Sequence, residues 1–233
     1  MRPELWVCHL GTLDYQSALA LQERVRAARQ EELVPDVMLL LEHWPVLTRG
    51  RRSVDGELPM GEQWYVMQGI EIVETNRGGK VTFHSPGQLV GYPVVRTGDV
   101  VAYIRTLERA LVAALAEEGI AARARPQDGP DYTGVWVQER KIASLGVHVA
   151  RGVTTHGFAV NVENDLQPFN YIVPCGLSDV QMTSIVKERR AACDLRCFRR
   201  RVAFQVAEAL GRRQRLISLP RLEAAIAATP AVA

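Results

Sequence analysis

An α+β fold, with a mixed and largely antiparallel sheet packed by helices, is what this chain of 233 residues predicts. Short apolar runs bounded by turn residues come in neighbouring pairs, as antiparallel strands do. Longer segments with helical spacing lie among them, without strict strand–helix alternation. The composition, 47% hydrophobic and 23% charged, is that of a chain with a buried core.

The elements follow in order. Leu5–Leu10 reads as a short strand. Asp14 is placed to cap a helix running to about Glu32, with Tyr15, Ala18, Leu19, Gln22 and Val25 on one face; Pro35 ends that segment. Val37–Glu42 is a continuous apolar run and reads as a buried strand. His43–Arg52, with Trp44-Pro45 and three arginines, reads as a loop. Ile70–Glu74, Val81–Phe83 and Leu89–Val94 are strand candidates. Asp99–Glu118 is the clearest helix: Asp99 can cap it, Ile104, Leu107, Leu111 and Leu115 recur at helical spacing, and Gly119 closes it. Arg125–Thr133 is a polar loop, after which Gly134–Val137, Lys141–Val149 and Thr155–Val160 read as strands. Cys193–Leu210 reads as an amphipathic helix with Phe198, Val202, Phe204 and Val206 as apolar candidates, and the tail Ala224–Ala233 is expected to fray. No repeat or linker divides the chain, so residues 1–233 are expected to form one domain.

Charge and apolar patterning narrow the class of function. A net charge of +2 does not imply nucleic acid, and no apolar run approaches a membrane span. Met1–Leu10 lacks the apolar stretch and cleavage site of a signal peptide, so a cytoplasmic location is expected. Cys8, Cys175, Cys193 and Cys197 read as free thiols, and no second Cys/His pair at zinc spacing follows Cys193 and Cys197, so no metal is expected. Of 28 basic residues only Lys80, Lys141 and Lys187 are lysine. Where arginine serves as the generic cation, a retained lysine marks a place where proton exchange is useful.

The run Arg77–Pro93, R-G-G-K-V-T-F-H-S-P-G-Q-L-V-G-Y-P, holds four glycines, two prolines and one histidine in 17 residues. It is turn chemistry around two short apolar strands, either a purely structural hairpin or a backbone that passes close to a ligand. It is neither a P-loop nor a dinucleotide fingerprint: Val81 follows Gly79-Lys80, and there is no G-x-G-x-x-G. Cys175, in Y-I-V-P-C-G-L at 171–177, is the one cysteine flanked by turn residues, a setting that can present a thiol to a cleft. A nucleophilic thiol needs a cation beside it to favour its thiolate. Lys141, opening K-I-A-S-L-G-V, is the candidate; a solvated turn residue is the alternative. His84 and His156 read as hydrogen-bonding residues in glycine turns rather than as bases.

Three blocks together resemble the lipoyl(octanoyl) transferases. They are the run at 77–93, G-V-W-V…K-I-A-S-L-G-V at 134–147 with H-G-F-A-V-N-V at 156–162, and I-V-P-C-G-L at 172–177 leading to M-T-S-I at 182–185. Order and spacing agree over about residues 5–210. The resemblance implies the catalytic-domain fold of lipoate and biotin protein ligases. It implies that Cys175 is the acyl-thioester nucleophile and that Lys141 lowers its pKa and transfers protons. Its substrate-lining segments are Arg77, Gly78, Gly79, Lys80, Val81, Thr82, Phe83 and His84, then Ser144, Leu145 and Gly146, then Gly157, Phe158 and Ala159. The implied reaction moves an octanoyl group from octanoyl-acyl carrier protein to a lysine of lipoyl domains, in 2-oxoacid dehydrogenases and the glycine cleavage H protein. It needs no cofactor and no metal, and suits a cytoplasmic monomer. Lys80, Phe83 and Ser85 stand where the family more often has Gln, Tyr and Gly. An ATP-dependent lipoate or biotin protein ligase, or a non-catalytic module that binds lipoyl domains or carrier protein, are the competing readings.

Overall fold

The computed structural model describes residues 2–173 and 180–227. In chain order its first half contains β1 (Glu4–Leu13), α1 (Tyr15–Gln30), β2 (Asp36–His43), β3 (Val46–Arg49), α2 (Glu62–Met67), β4 (Glu71–Glu74), β5 (Thr82–His84), β6 (Gln88–Val94) and α3 (Val100–Ala116). Then come β7 (Arg123–Ala124), β8 (Gly134–Val137), β9 (Arg140–Ala150), β10 (Val153–Asn161), β11 (Gln181–Met182), α4 (Ile185–Arg189), α5 (Leu195–Ala209), β12 (Arg213–Ile217) and α6 (Leu219–Ala227).

The described residues form a nine-stranded sheet in the order β12-β1-β2-β6-β10-β9-β8-β7, with β11 beside β9. Its β12, β1 and β2 run parallel, and from β2 through β6, β10, β9, β8 and β7 every neighbour is antiparallel. A second, three-stranded sheet runs β4-β3-β5. Helices cover both faces of the large sheet. Met38 and Leu40 of β2 join the core that buries α3 and α5, while Val37, Leu39 and Leu41 join the core beneath α1 and α6. That two-sided burial explains why the run at 37–42 is apolar without alternation.

The helix signals hold. Asp14 accepts a hydrogen bond from the Ser17 amide at the start of α1, and Asp99 accepts one from Ala102 at the start of α3. Gly119 takes a left-handed φ of +76° past the end of α3. The fourth apolar candidate of α5, Phe204, is 53% exposed, whereas Phe198, Val202 and Val206 are buried. Three other expectations are corrected. The loop predicted at His43–Arg52 contains β3, whose four residues are ordered by pairing with β4 and β5. Residues 224–227, predicted to fray, belong to α6, where Ile226 packs into the core. The two strands of the 77–93 run are not a hairpin: β5 pairs with β3 in the small sheet, and β6 lies between β2 and β10 in the large one. The run bridges the two sheets, and no helix among the described residues is long and apolar enough to cross a membrane.

Candidate active site

Because β5 and β6 part company after His84, a cavity opens between the small sheet and the face formed by β6, β9 and β10. On β5 and β6 strand alternation decides which side chains reach it. Thr82 and His84 of β5 line it, as do Arg77, Gly79 and Lys80, Val90 and Tyr92, Ser144 to Gly146, and His156 to Ala159, with Tyr15 from α1. Val81 and Phe83 join a separate apolar cluster with Leu47, Tyr65 and Phe169. Gly78 lies on an adjoining cavity, lined also by Lys141, Arg52 and Asp131, which shares Gly79, Lys80, Leu145 and Gly146 with the first. The segments at 77–84, 144–146 and 157–159 are thus gathered in one place, though 60 or more residues separate the first from the others.

Backbone contacts seat the glycine-rich segment. The Gly78 amide donates to Val147 O at 2.9 Å, and a Cβ on Gly146 would stand 2.5 Å from Gly78 O. Only glycine at 146 lets the segment lie this close to β9. On its other side the Arg51 and Arg52 amides donate to Arg77 O and Gly79 O at 2.9 and 3.1 Å. The Arg77 guanidinium is buried and turned into the fold, with Nη2 donating to the Thr48 carbonyl at 2.6 Å and its hydroxyl at 2.8 Å. Ser85, standing where glycine is usual in the family it resembles, is not among the residues with left-handed φ, so its Cβ is accommodated.

A buried cluster of histidine and tyrosine forms the floor. His43 Nδ1 donates to Leu13 O at 2.9 Å, so its Nε2 accepts from the Tyr92 hydroxyl at 2.7 Å. Gln88 uses its amide N–H groups on Phe83 O and Asn161 Oδ1, leaving Oε1 to accept from His84 Nδ1 at 2.7 Å. His156 Nε2 donates to Asn76 Oδ1 at 2.7 Å and its Nδ1 accepts from the Tyr15 hydroxyl at 3.3 Å. Burial pushes His43 down to about 4, and His84 and His156 down to about 3, with the Arg77 charge adding to the last two. Burial likewise raises Tyr15 to about 12 and Tyr92 well above its ordinary value. Every ring of the floor is therefore neutral near pH 7. His156 holds a left-handed φ of +58° inside β10, pinned by its amide donating to Gln22 Oε1 at 2.7 Å and by both ring nitrogens. Such over-determined backbone strain concentrates at functional sites.

The profile of the lipoyl protein ligase A/B catalytic domain matches residues 14–207. The chain belongs to this family. Among its relatives, the octanoyltransferase of Solibacter usitatus is 47% identical over 189 residues, spanning 79% of this chain and 84% of that protein. Among solved structures, a lipoate-protein ligase A bound with ATP superposes with a TM-score of 0.81 at 18% identity, covering 97% of this chain and 93% of that one. The biotin protein ligase of Aquifex aeolicus gives 0.50 at 13% identity, covering 89% and 69%. At those identities the structures speak to the fold alone, which is the lipoyl and biotin ligase fold the sequence led us to expect.

Within this family member Lys141 is 1% exposed and sits on β9 beside the cavity it shares with Gly78. Its carbonyl accepts from the Thr183 amide at 2.9 Å, through the parallel pairing of β11 with β9. Cys175 lies outside the described residues. Cys8 and Cys193 are buried, and burial raises the pKa of both. Cys197 is exposed and donates to Asp194. Sequence reasoning placed Tyr15 on the buried helix face and singled out neither Val90 and Tyr92, which line the cavity, nor His43, which is buried behind Tyr92. The signal for Tyr15 and His43 was weak, since a polar ring on an apolar face reads as core until its partners are known.

Proposed function

We propose that this chain transfers an octanoyl group from octanoyl-acyl carrier protein to a lysine of a lipoyl domain, through a thioester on Cys175. The reading rests most on its kinship to octanoyltransferases at 47% identity over most of both chains. The site supports it. The floor is neutral and aromatic, and Val90, Leu145, Phe158 and Ala159 add apolar wall, which suits an alkyl chain. The Lys141 ammonium favours the Cys175 thiolate, whose sulfur attacks the thioester carbonyl and expels the carrier thiolate. Thioester exchange is close to neutral in energy. The acceptor lysine amine then attacks the acyl-enzyme and expels the Cys175 sulfur; Lys141 gives its proton to the departing thiolate and takes up the one the amine loses, and amide formation drives the transfer. Backbone N–H groups of the glycine-rich segment would serve to stabilise the oxyanion. The donor is already activated, so the reaction needs neither ATP nor a metal.

The lipoyl domains of 2-oxoacid dehydrogenases and the glycine cleavage H protein are the expected acceptors, and residues 1–233 act as one cytoplasmic monomer. Residues 49–52 are hydrogen-bonded to the 77–79 backbone and Arg52 lines the adjoining cavity; their arginines would meet an acidic carrier.

Intact mass spectrometry after mixing with octanoyl carrier protein tests the reading. A single octanoyl adduct is expected, cleaved by hydroxylamine and lost in Cys175→Ala. ATP-dependent transfer that survives Cys175→Ala would make the chain a ligase, and binding without any adduct would make it a non-catalytic module.

A further inference from the structure

The Lys141 side chain is held by a seat built from three elements. Its Nζ lies 5.2 Å from the centroid of the Trp136 ring, and Trp136 is fully buried. The pairing of β8 with β9 runs Val135 to Ala143 and then Trp136 to Lys141, so Ile142 is an extra residue. Such a bulge re-aims the side chains beside it. Gly134 completes the seat. Its φ is +146°, and a Cβ there would stand 2.6 Å from Lys141 Cε and 3.4 Å from Nζ. Glu108 of α3, fully buried, holds Gly134 in place by accepting from its amide at 2.9 Å, while its other oxygen accepts from Arg105 at 2.6 Å.

The indole is itself fixed. Its Nε1 donates to Tyr132 O at 3.0 Å, and the Arg125 guanidinium lies 5.0 Å from its centroid. Arg125 is ion-paired to Asp128 and Glu139. The other charged groups around the Lys141 cavity are Lys80 and the Arg52–Asp131 pair at 2.8 Å. An ammonium against an indole face in a desolvated site is among the stronger cation–π geometries.

We propose that Trp136 is the positioning residue for Lys141, with Gly134 and Glu108 keeping the space the lysine occupies. The seat turns a flexible four-carbon side chain into a fixed charge. This rests on the reading of Lys141 as the cation that favours the Cys175 thiolate, and the test separates the two. It reads the rate of Cys175 alkylation by iodoacetamide at pH 7, peptide by peptide, with exposed Cys197 as an internal reference. Trp136→Leu is expected to slow Cys175 alkylation and octanoyl transfer about tenfold while leaving Cys197 unchanged. Trp136→Phe, which keeps an aromatic face, is expected to restore most of both. Fluorinated tryptophans placed at 136 keep the shape and weaken the negative face, so alkylation should fall stepwise with fluorine number even where the leucine variant unfolds. A flat fluorinated series alongside a slow Lys141→Ala overturns the seat and leaves the role of Lys141 standing. Lys141→Ala with the wild-type alkylation rate overturns both.

Discussion

At the scale of single residues, the floor of the cavity makes stability depend on acidity. His43, His84 and His156 are held at about 4, 3 and 3 against an ordinary value of 6.5. The unfolded chain therefore binds more protons than the native one between those limits, so stability rises with pH through that window. Above about pH 6.5 the neutral cluster costs nothing; as pH falls, protonation draws the protein toward the unfolded state. Each buried imidazole contributes a slope of about 1.4 kcal/mol per pH unit while both forms matter. The urea midpoint is expected to drop clearly between pH 7 and pH 5, and His43→Gln should flatten that slope; a midpoint constant over the range would refute the assignment. The glycine-rich run was legible as a place where backbone comes close to something. That the neighbour is β9, across the pair Gly78 and Gly146, was not, because a contact between residues far apart in sequence leaves no local mark.

At the scale of elements, local chemistry and long-range pairing divide the work. Helices α1 and α3 begin at the aspartates that spacing and capping chemistry point to, since a cap satisfies amides within the same turn. Asp99→Ala is expected to cost about 1 kcal/mol, read as a lower urea midpoint with an unchanged slope. By contrast β3, four residues beside Trp44-Pro45, owes its strand conformation to β4 and β5, and its own sequence reads as loop. The six residues of α2 escaped notice because so short a helix has little periodicity and is stabilised by packing. Strand β5 shows the functional use of alternation: Thr82 and His84 face the cavity, while Phe83 joins the cluster behind it.

At the scale of the whole molecule, Asp36 ties distant parts of the chain together. Its carboxylate, 3% exposed, accepts from Arg29 of α1 and from Arg212 before β12, both at 2.8 Å, and from the Arg96 amide at 3.2 Å. Asp36→Ala leaves two partly buried guanidinium groups without their anion and is expected to cost about 3 kcal/mol, measured by thermal or urea unfolding. A loss below about 0.5 kcal/mol would show that the network contributes little. By itself the sequence determined the fold class, the helices with their caps, the buried central strand, and, through three blocks in register, the kinship to acyl-transferring enzymes. Those features are written in local periodicity, capping and motif spacing. Tertiary structure alone decided that β5 and β6 part into different sheets to open the cavity, that its floor is a neutral histidine–tyrosine cluster, and that a bulge, a glycine and an indole hold Lys141. Each depends on register and burial between segments far apart in the chain, and none of the three has a sequence signature of its own.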